Sequence, residues 1–249
     1  MITGVVDASG AGAGKSPDEE LWTVVFTLAA WRVDGGAVQR APLRVRKAVR
    51  EEERAALYGV IHPNALIALD AQLIGKDAAA IETAVLGVVL EPPNDPELRA
   101  VLAELQKPVT IDDAVLGTLT LDRRLDWFVG RATWLGEPVT VNVEAVGDDL
   151  PDALATAHAL WRDQVGWQAR VRDYAVERLL GLKNGTWLEE DESVVSADEF
   201  RARMKLESIT VDPEGGFTFF HEDGDLFWGH AIEIGGSLEE GPDHADIPG

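Results

Sequence analysis

The sequence predicts an α+β protein in two parts: a β-rich, OB-like domain at residues 1–92, then an α+β domain at residues 111–249 whose antiparallel sheet follows the order βββ-αα-βββ. Three observations carry this expectation. Short segments with apolar residues at every second position occur in both halves, the pattern of half-buried strands. One long stretch, residues 148–183, instead repeats its apolar residues near the helical period. Between the halves, Glu91-Pro92-Pro93-Asn94-Asp95-Pro96 breaks regular structure, because each proline removes a backbone donor and restricts its predecessor. Residues 93–110 therefore read as a linker holding a short helix at 96–105.

In the first part, residues 2–7, 21–31 and 43–49 read as strands. In the last of these, Leu43, Val45, Lys47 and Val49 alternate with Arg44, Arg46 and Ala48. Residues 50–60 favour a helix with Glu51, Glu52 and Glu53 at the positive end of its dipole. A strand at 66–74 follows, and residues 78–90 lean to a strand over a helix. Three strands, a helix and two strands is the element order of a small OB-like barrel.

In the second part, residues 116–122, 126–134 and 138–146 form a meander joined by short turns, with Val139, Val141, Val143 and Ala145 on one face. The helical stretch places Leu154, Ala157, Trp161, Val171, Ala175, Leu179 and Leu182 on its apolar stripe, bent or split near Gly166 and ended by a left-handed cap at Lys183-Asn184-Gly185. Ser196 and Glu199 have capping-box spacing before a helix at 197–204. Strands at 207–211, 217–222 and 226–234 complete the domain, and the Gly-, Pro- and acid-rich residues from about 235 read as a loose tail.

With 46% hydrophobic and 27% charged residues the chain can bury a core. It has no cysteine, which excludes disulfides, thiolate nucleophiles and Cys-ligated metals. The first residues lack the basic and apolar regions of a signal peptide, and no apolar run reaches membrane-spanning length, so a cytoplasmic protein without membrane contact is expected. The net charge of −22 is uneven: residues 1–110 hold 11 Lys/Arg against 15 Asp/Glu, residues 111–249 hold 11 against 29. Such a field opposes phosphate backbones and steers a basic partner protein, although acidity also serves plain solubility.

Each candidate site has a plainer alternative. Ser9-Gly10-Ala11-Gly12-Ala13-Gly14-Lys15-Ser16 lacks the first glycine of a phosphate-binding loop and precedes a β-like run, so it reads as a flexible hairpin loop. Arg40, Arg44, Arg46, Lys47 and Arg50 could track nucleic acid on an OB-like barrel, but stacking aromatics are missing and acidic residues adjoin, which favours a solvated face. Asp223, Asp225 and His230, with His221 close by, could exchange protons as catalytic residues, yet Asp-Gly-Asp is also ordinary turn chemistry and the spacing fits no metal template. No metal and no cofactor is expected. His62, His158 and His244 form no recognisable constellation. Trp187, Trp228 and Asp122 are candidates for binding, against core packing for most of the eight tryptophans.

Four blocks carry a resemblance: Gly117-Thr118-Leu119-Thr120-Leu121-Asp122; Leu179-Leu180-Gly181-Leu182-Lys183-Asn184 with Trp187-Leu188; Met204-Lys205-Leu206-Glu207-Ser208-Ile209; and Asp223-Gly224-Asp225-Leu226-Phe227-Trp228-Gly229-His230-Ala231-Ile232. In this order they resemble the bacterial domain of unknown function 2262 over about residues 111–246. The resemblance implies a bacterial α+β domain, sometimes preceded by another module, and no activity. Families with a similar closing Gly-His strand include suspected immunity proteins, an analogy of fold alone. Three functions stand open: a non-enzymatic, immunity-type module binding a basic protein, a hydrolase or metal-dependent enzyme using Asp223, Asp225 and His230, and nucleic-acid binding by the first domain. Oligomeric state is not legible.

Overall fold

The computed structural model describes residues 1–190 and 192–249. They divide into two compact units, Met1–Pro108 with Arg123–Leu125, and Val109–Asp122 with Asp126–Gly249. Among the described residues no helix is long and apolar enough to cross a membrane.

The first unit contains β1 (Ile2–Val6), β2 (Gly12–Gly14), β3 (Trp22–Val33), β4 (Leu43–Val49), α1 (Glu51–Tyr58), β5 (Leu66–Lys76), β6 (Glu82–Leu90) and α2 (Pro96–Leu105). Strand β3 is long enough to serve two neighbours: Leu28–Val33 pairs with β1 and Trp22–Leu28 with β4. Strand β4 runs parallel to β6, β6 antiparallel to β5, and β5 antiparallel to β1, which closes the ring. Setting aside the short β2, this is a five-stranded closed barrel with one parallel pair and a helix between its third and fourth strands, the OB arrangement expected from element order. Closure leaves no edge along the ring and gathers Phe26, Leu28, Leu43, Val45 and Leu69 inside.

Strand β1 is buried at all five positions because both of its faces are covered. Ile2 and Val6 face the barrel core, while Val5 packs with Ala30 against Leu98 and Val101 of α2. Gly4 has no space for a side chain, since a Cβ there would lie 2.7 Å from the Ala30 carbonyl oxygen. Asp95 caps α2 by accepting from the Leu98 N–H at 3.0 Å and pairs with Arg32 of β3 at 3.1 Å. Residues 93–108 therefore belong with the barrel, and the segment read as a linker is a packed helix with its cap. The glycine-rich segment also differs from the flexible loop expected of it: Gly12–Gly14 forms β2, paired with Thr23–Val25 of β3.

The second unit is one eight-stranded sheet built from β7 (Thr110–Asp113), β8 (Gly117–Asp122), β9 (Trp127–Trp134), β10 (Glu137–Val143), β11 (Lys205–Val211), β12 (Gly216–Glu222), β13 (Ile232–Ser237) and β14 (Gly241–Asp246). The two four-stranded meanders are antiparallel, and β10 and β11 join them in parallel at the centre. The crossover between them contains α3 (Leu150–Arg162), α4 (Gln164–Thr186) and α5 (Ala197–Arg203). Helix-facing side chains alternate along each strand: Val139, Val141 and Val143 on β10, Ile209 and Val211 on β11, Phe217 and Phe219 on β12.

Four expectations need correction here. The order is ββββ-ααα-ββββ, with an extra strand at each edge of the sheet. The residues read as a loose tail instead complete β13 and form β14, whose backbone pairs from Glu233↔Asp246 to Ser237↔Gly241. The strand expected at 226–234 begins only at Ile232, because residues 223–231 form a loop. The long helix breaks at Asp163, φ −133 and ψ 55, whose carboxylate caps α4 through the Gly166 N–H, and α4 then continues past the expected stop to Thr186.

Candidate functional site

The loop from Asp223 to Ala231 holds most of the residues that the sequence singled out. Asp223 is 5% exposed. Its Oδ1 accepts from the Asp225 N–H at 3.2 Å, and its Oδ2 from the Phe227 N–H at 2.6 Å and the Gly229 N–H at 3.1 Å. A carboxylate that accepts backbone N–H groups at both oxygens acts as the organising centre of a turn. The loop needs such a centre because Gly224, Asp225, Trp228 and Gly229 all have positive φ. Asp225 is exposed, and its own side chain makes no hydrogen bond to a described residue. His230 is half-buried and lies edge-on to Trp187 at 5.4 Å, so Asp223, Asp225 and His230 share one loop without a hydrogen bond between their side chains.

A second network braces this loop. Lys183 is fully buried, and its Nζ donates to the Trp187 carbonyl at 2.9 Å and to Glu192 Oε2 at 2.5 Å. Glu192 Oε1 accepts from Arg203 at 3.0 Å, and Arg203 Nε donates to the Gly224 carbonyl at 2.8 Å. The Lys183 hydrogen bond comes first among the causes that, against partial burial, hold the Glu192 carboxyl down at about 2; Arg203 and the Glu189 N–H add to it. The lysine expected to cap the helix is instead a buried cation that joins the helix end to Glu192 and, through Arg203, to the loop.

The aromatic residues divide between core and surface. Trp134 packs edge-on with Trp161 and Phe219, and Trp167 with Phe217. Trp187 contacts Phe227, Trp228 and His230, with Trp228 at 4.6 Å between ring centroids. Trp228 itself is 59% exposed at φ 57, a conformation that a bulky side chain rarely adopts. Exposed Glu189, Glu190 and Asp225 are sequence neighbours of these two tryptophans. Asp122 ends β8 opposite Trp127, on a different part of the sheet.

Two constellations had no counterpart in the sequence reading. His158 of α3 meets Asp113 of β7 at 2.9 Å. Burial pushes the Asp113 carboxyl up, but the Leu116 and Val115 N–H groups and His158 together bring it below its usual range. The other is a cavity of about 650 Å³ lined by residues of β9, β10, α4, α5, β11 and β12, among them Trp134, Gln168 and Arg172. Near it His221 is fully buried on β12 with both ring nitrogens lacking a hydrogen-bond partner. Burial first, and the Arg172 charge second, push its pKa down to about 3; the backbone at Ile232 and Phe219 pulls the other way without a well-formed bond. The sequence signal for the second was periodicity: His221 continues the Phe217, Phe219 alternation, and Arg172 adjoins Val171 on the inward stripe of α4.

On the barrel, three of the five residues of the basic cluster are paired with carboxylates. Arg44 pairs with Asp77 at 2.5 Å, Lys47 with Glu53 at 2.7 Å and Arg40 with Glu104 at 3.1 Å. Among the described residues no group of His, Asp and Glu side chains has the geometry to hold a metal ion.

A family model described as "Uncharacterized protein conserved in bacteria (DUF2262)" matches residues 113–247, just over half of the chain. A second, described as "Domain of unknown function (DUF7021)", matches residues 1–105. No curated protein matches the chain.

Proposed function

The chain belongs to the bacterial DUF2262 family, and from that premise we propose that it is a non-catalytic, immunity-type module whose acidic second unit binds a basic protein through the loop carrying Trp228. The observation that carries this reading is the presentation of Trp228: a large apolar ring 59% exposed, on strained backbone, in a loop whose backbone is held by the buried Asp223 carboxylate. Strain of this kind persists only where the surroundings over-determine it, and it concentrates at functional positions. An exposed tryptophan supported by a second ring is a common anchor of protein interfaces, and its π face also attracts Lys and Arg side chains. The acidic residues beside it add long-range attraction for the same cations.

The enzymatic alternative is weaker because Asp223 is committed to backbone hydrogen bonds and makes none with His230. The nucleic-acid alternative is weaker because three of the five cations in the barrel's basic cluster are paired with carboxylates. In a fluorescence titration with a penta-arginine peptide, we expect saturable binding that weakens with salt and is reduced about tenfold or more by Trp228→Ala. Binding indifferent to salt, or unchanged in the variant, would refute the reading.

A further inference from the structure

The cavity beside Arg172 in the second unit shares no lining residue with the Trp228 loop and carries its own chemistry. Its volume of about 650 Å³ lies in the range of metabolite sites. One side is apolar, with Trp134, Val139 and Met204. The polar side is organised by α4. Gln168 accepts from the Trp134 indole at 2.9 Å, which fixes the amide's orientation, because indole can only donate, and leaves the amide N–H groups without an acceptor among the described residues.

Arg172, one turn further along α4, is the decisive residue. Its Nη2 donates to the Met204 carbonyl at 3.1 Å, while its Nε is buried with no acceptor. Burial lowers its pKa, and among the described residues no carboxylate comes within ion-pairing distance. Arg131 and Lys205 line the same cavity, and among the described residues neither has a carboxylate partner. Three cations without an ion-pair partner among the described residues thus line one cavity, and Arg172 is the one held partly buried. Glu137, Glu207 and Glu222 also line it without pairing to them, so the lining favours a ligand of low charge over a polyanion.

We infer that this cavity is a binding site for a small organic oxyanion, a carboxylate or phosphate attached to an apolar body, with its head on Arg172 and its body against Trp134 and Met204. A guanidinium left partly desolvated and without a counter-ion is costly, and an oxyanion in the cavity supplies the missing charge. Lys205 and Arg131 add attraction at the exposed side.

Calorimetric titration of the full chain with benzoate, phenyl phosphate and the neutral analogue benzamide tests this. We expect saturable binding of at least one anion, with benzamide at least about tenfold weaker. The tighter anion identifies the head group as carboxylate or phosphate. Arg172→Gln should weaken the anion about tenfold or more, and Lys205→Gln, an exposed change with little consequence for folding, about threefold. Benzamide binding within about twofold of benzoate, absence of saturable binding by both anions, or Lys205→Gln and a folded Arg172→Gln both binding like the unaltered chain would overturn the inference.

Discussion

Two regions of the second unit treat buried polar groups in opposite ways. At the Asp223 loop, the buried carboxylate is matched by backbone donors from Asp225, Phe227 and Gly229, and neighbouring Lys183 is matched by Trp187 and Glu192. Around Arg172 and His221, one guanidinium nitrogen and two imidazole nitrogens are buried and unmatched. Buried polar groups are nearly always satisfied, so the matched region explains itself through folding and the unmatched one calls for another explanation. Titratable residues close in sequence drew attention to the loop, while the unsatisfied chemistry lies in a cluster assembled from a helix and a distant strand.

The largest effect should come from breaking the matched region. Asp223→Ala leaves three backbone N–H groups without their acceptor and removes the centre of a loop rich in positive φ. The expected loss is roughly 3–5 kcal/mol in urea unfolding of the second unit. A loss below about 1 kcal/mol would show that the loop is organised by something else.

The unmatched region should respond with the opposite sign. Replacing His221 with leucine removes two orphaned nitrogens at similar volume, so stability at pH 7 should hold or rise. The pH dependence is more specific. As pH falls below 6.5 the unfolded imidazole takes up a proton, while the folded one stays neutral down to about 3. The unfolded state thus binds more protons, and stability should fall by about 2–3 kcal/mol between pH 6.5 and 4.5. Glu144, held above its usual range by burial and by Asp212, opposes part of this just above pH 4.5. In His221→Leu the decline should vanish. Below pH 4.5 both proteins should lose the Glu192 contribution, which is present above that pH and disappears as its carboxyl protonates toward about 2. A decline of equal slope in the variant would assign the effect elsewhere.

These assignments show what the sequence could convey. The barrel was legible from its element order, since local alternation and one helix fix which strands can neighbour which. The edges of the second sheet were not: β14 contains Gly, Pro, Asp and His, poor strand formers, and is held in place by backbone pairing with β13. Within α4, Leu182 was assigned inward but is 42% exposed, while the neighbouring Lys183 is fully buried. Ala175, Leu179 and Lys183 follow a four-residue spacing, so the stripe itself pointed to the lysine, and only its charge argued against burial. His221, grouped in sequence with Asp223, Asp225 and His230, likewise lies inward on the Phe217, Phe219 alternation, away from that loop's hydrogen bonds. Partners supplied by tertiary structure decide such positions, and one chain read locally does not contain them.

The smallest predicted effect separates the two roles of Trp228, one in stability and one in binding. Trp228→Ala and Trp228→Gly both remove the ring and its contact with Trp187, so neither should retain the proposed peptide binding. They differ in what the backbone at φ 57 must accommodate. Alanine keeps a Cβ that crowds the left-handed conformation, whereas glycine adopts it freely, and the glycine variant should therefore be more stable by about 1 kcal/mol. If the loop relaxes to negative φ once the ring is gone, the two variants will unfold alike. That result would mean the tryptophan's own packing imposes the strain; a difference of the expected size would mean that Asp223 and the Lys183–Glu192–Arg203 network impose it, holding the ring outward for a partner.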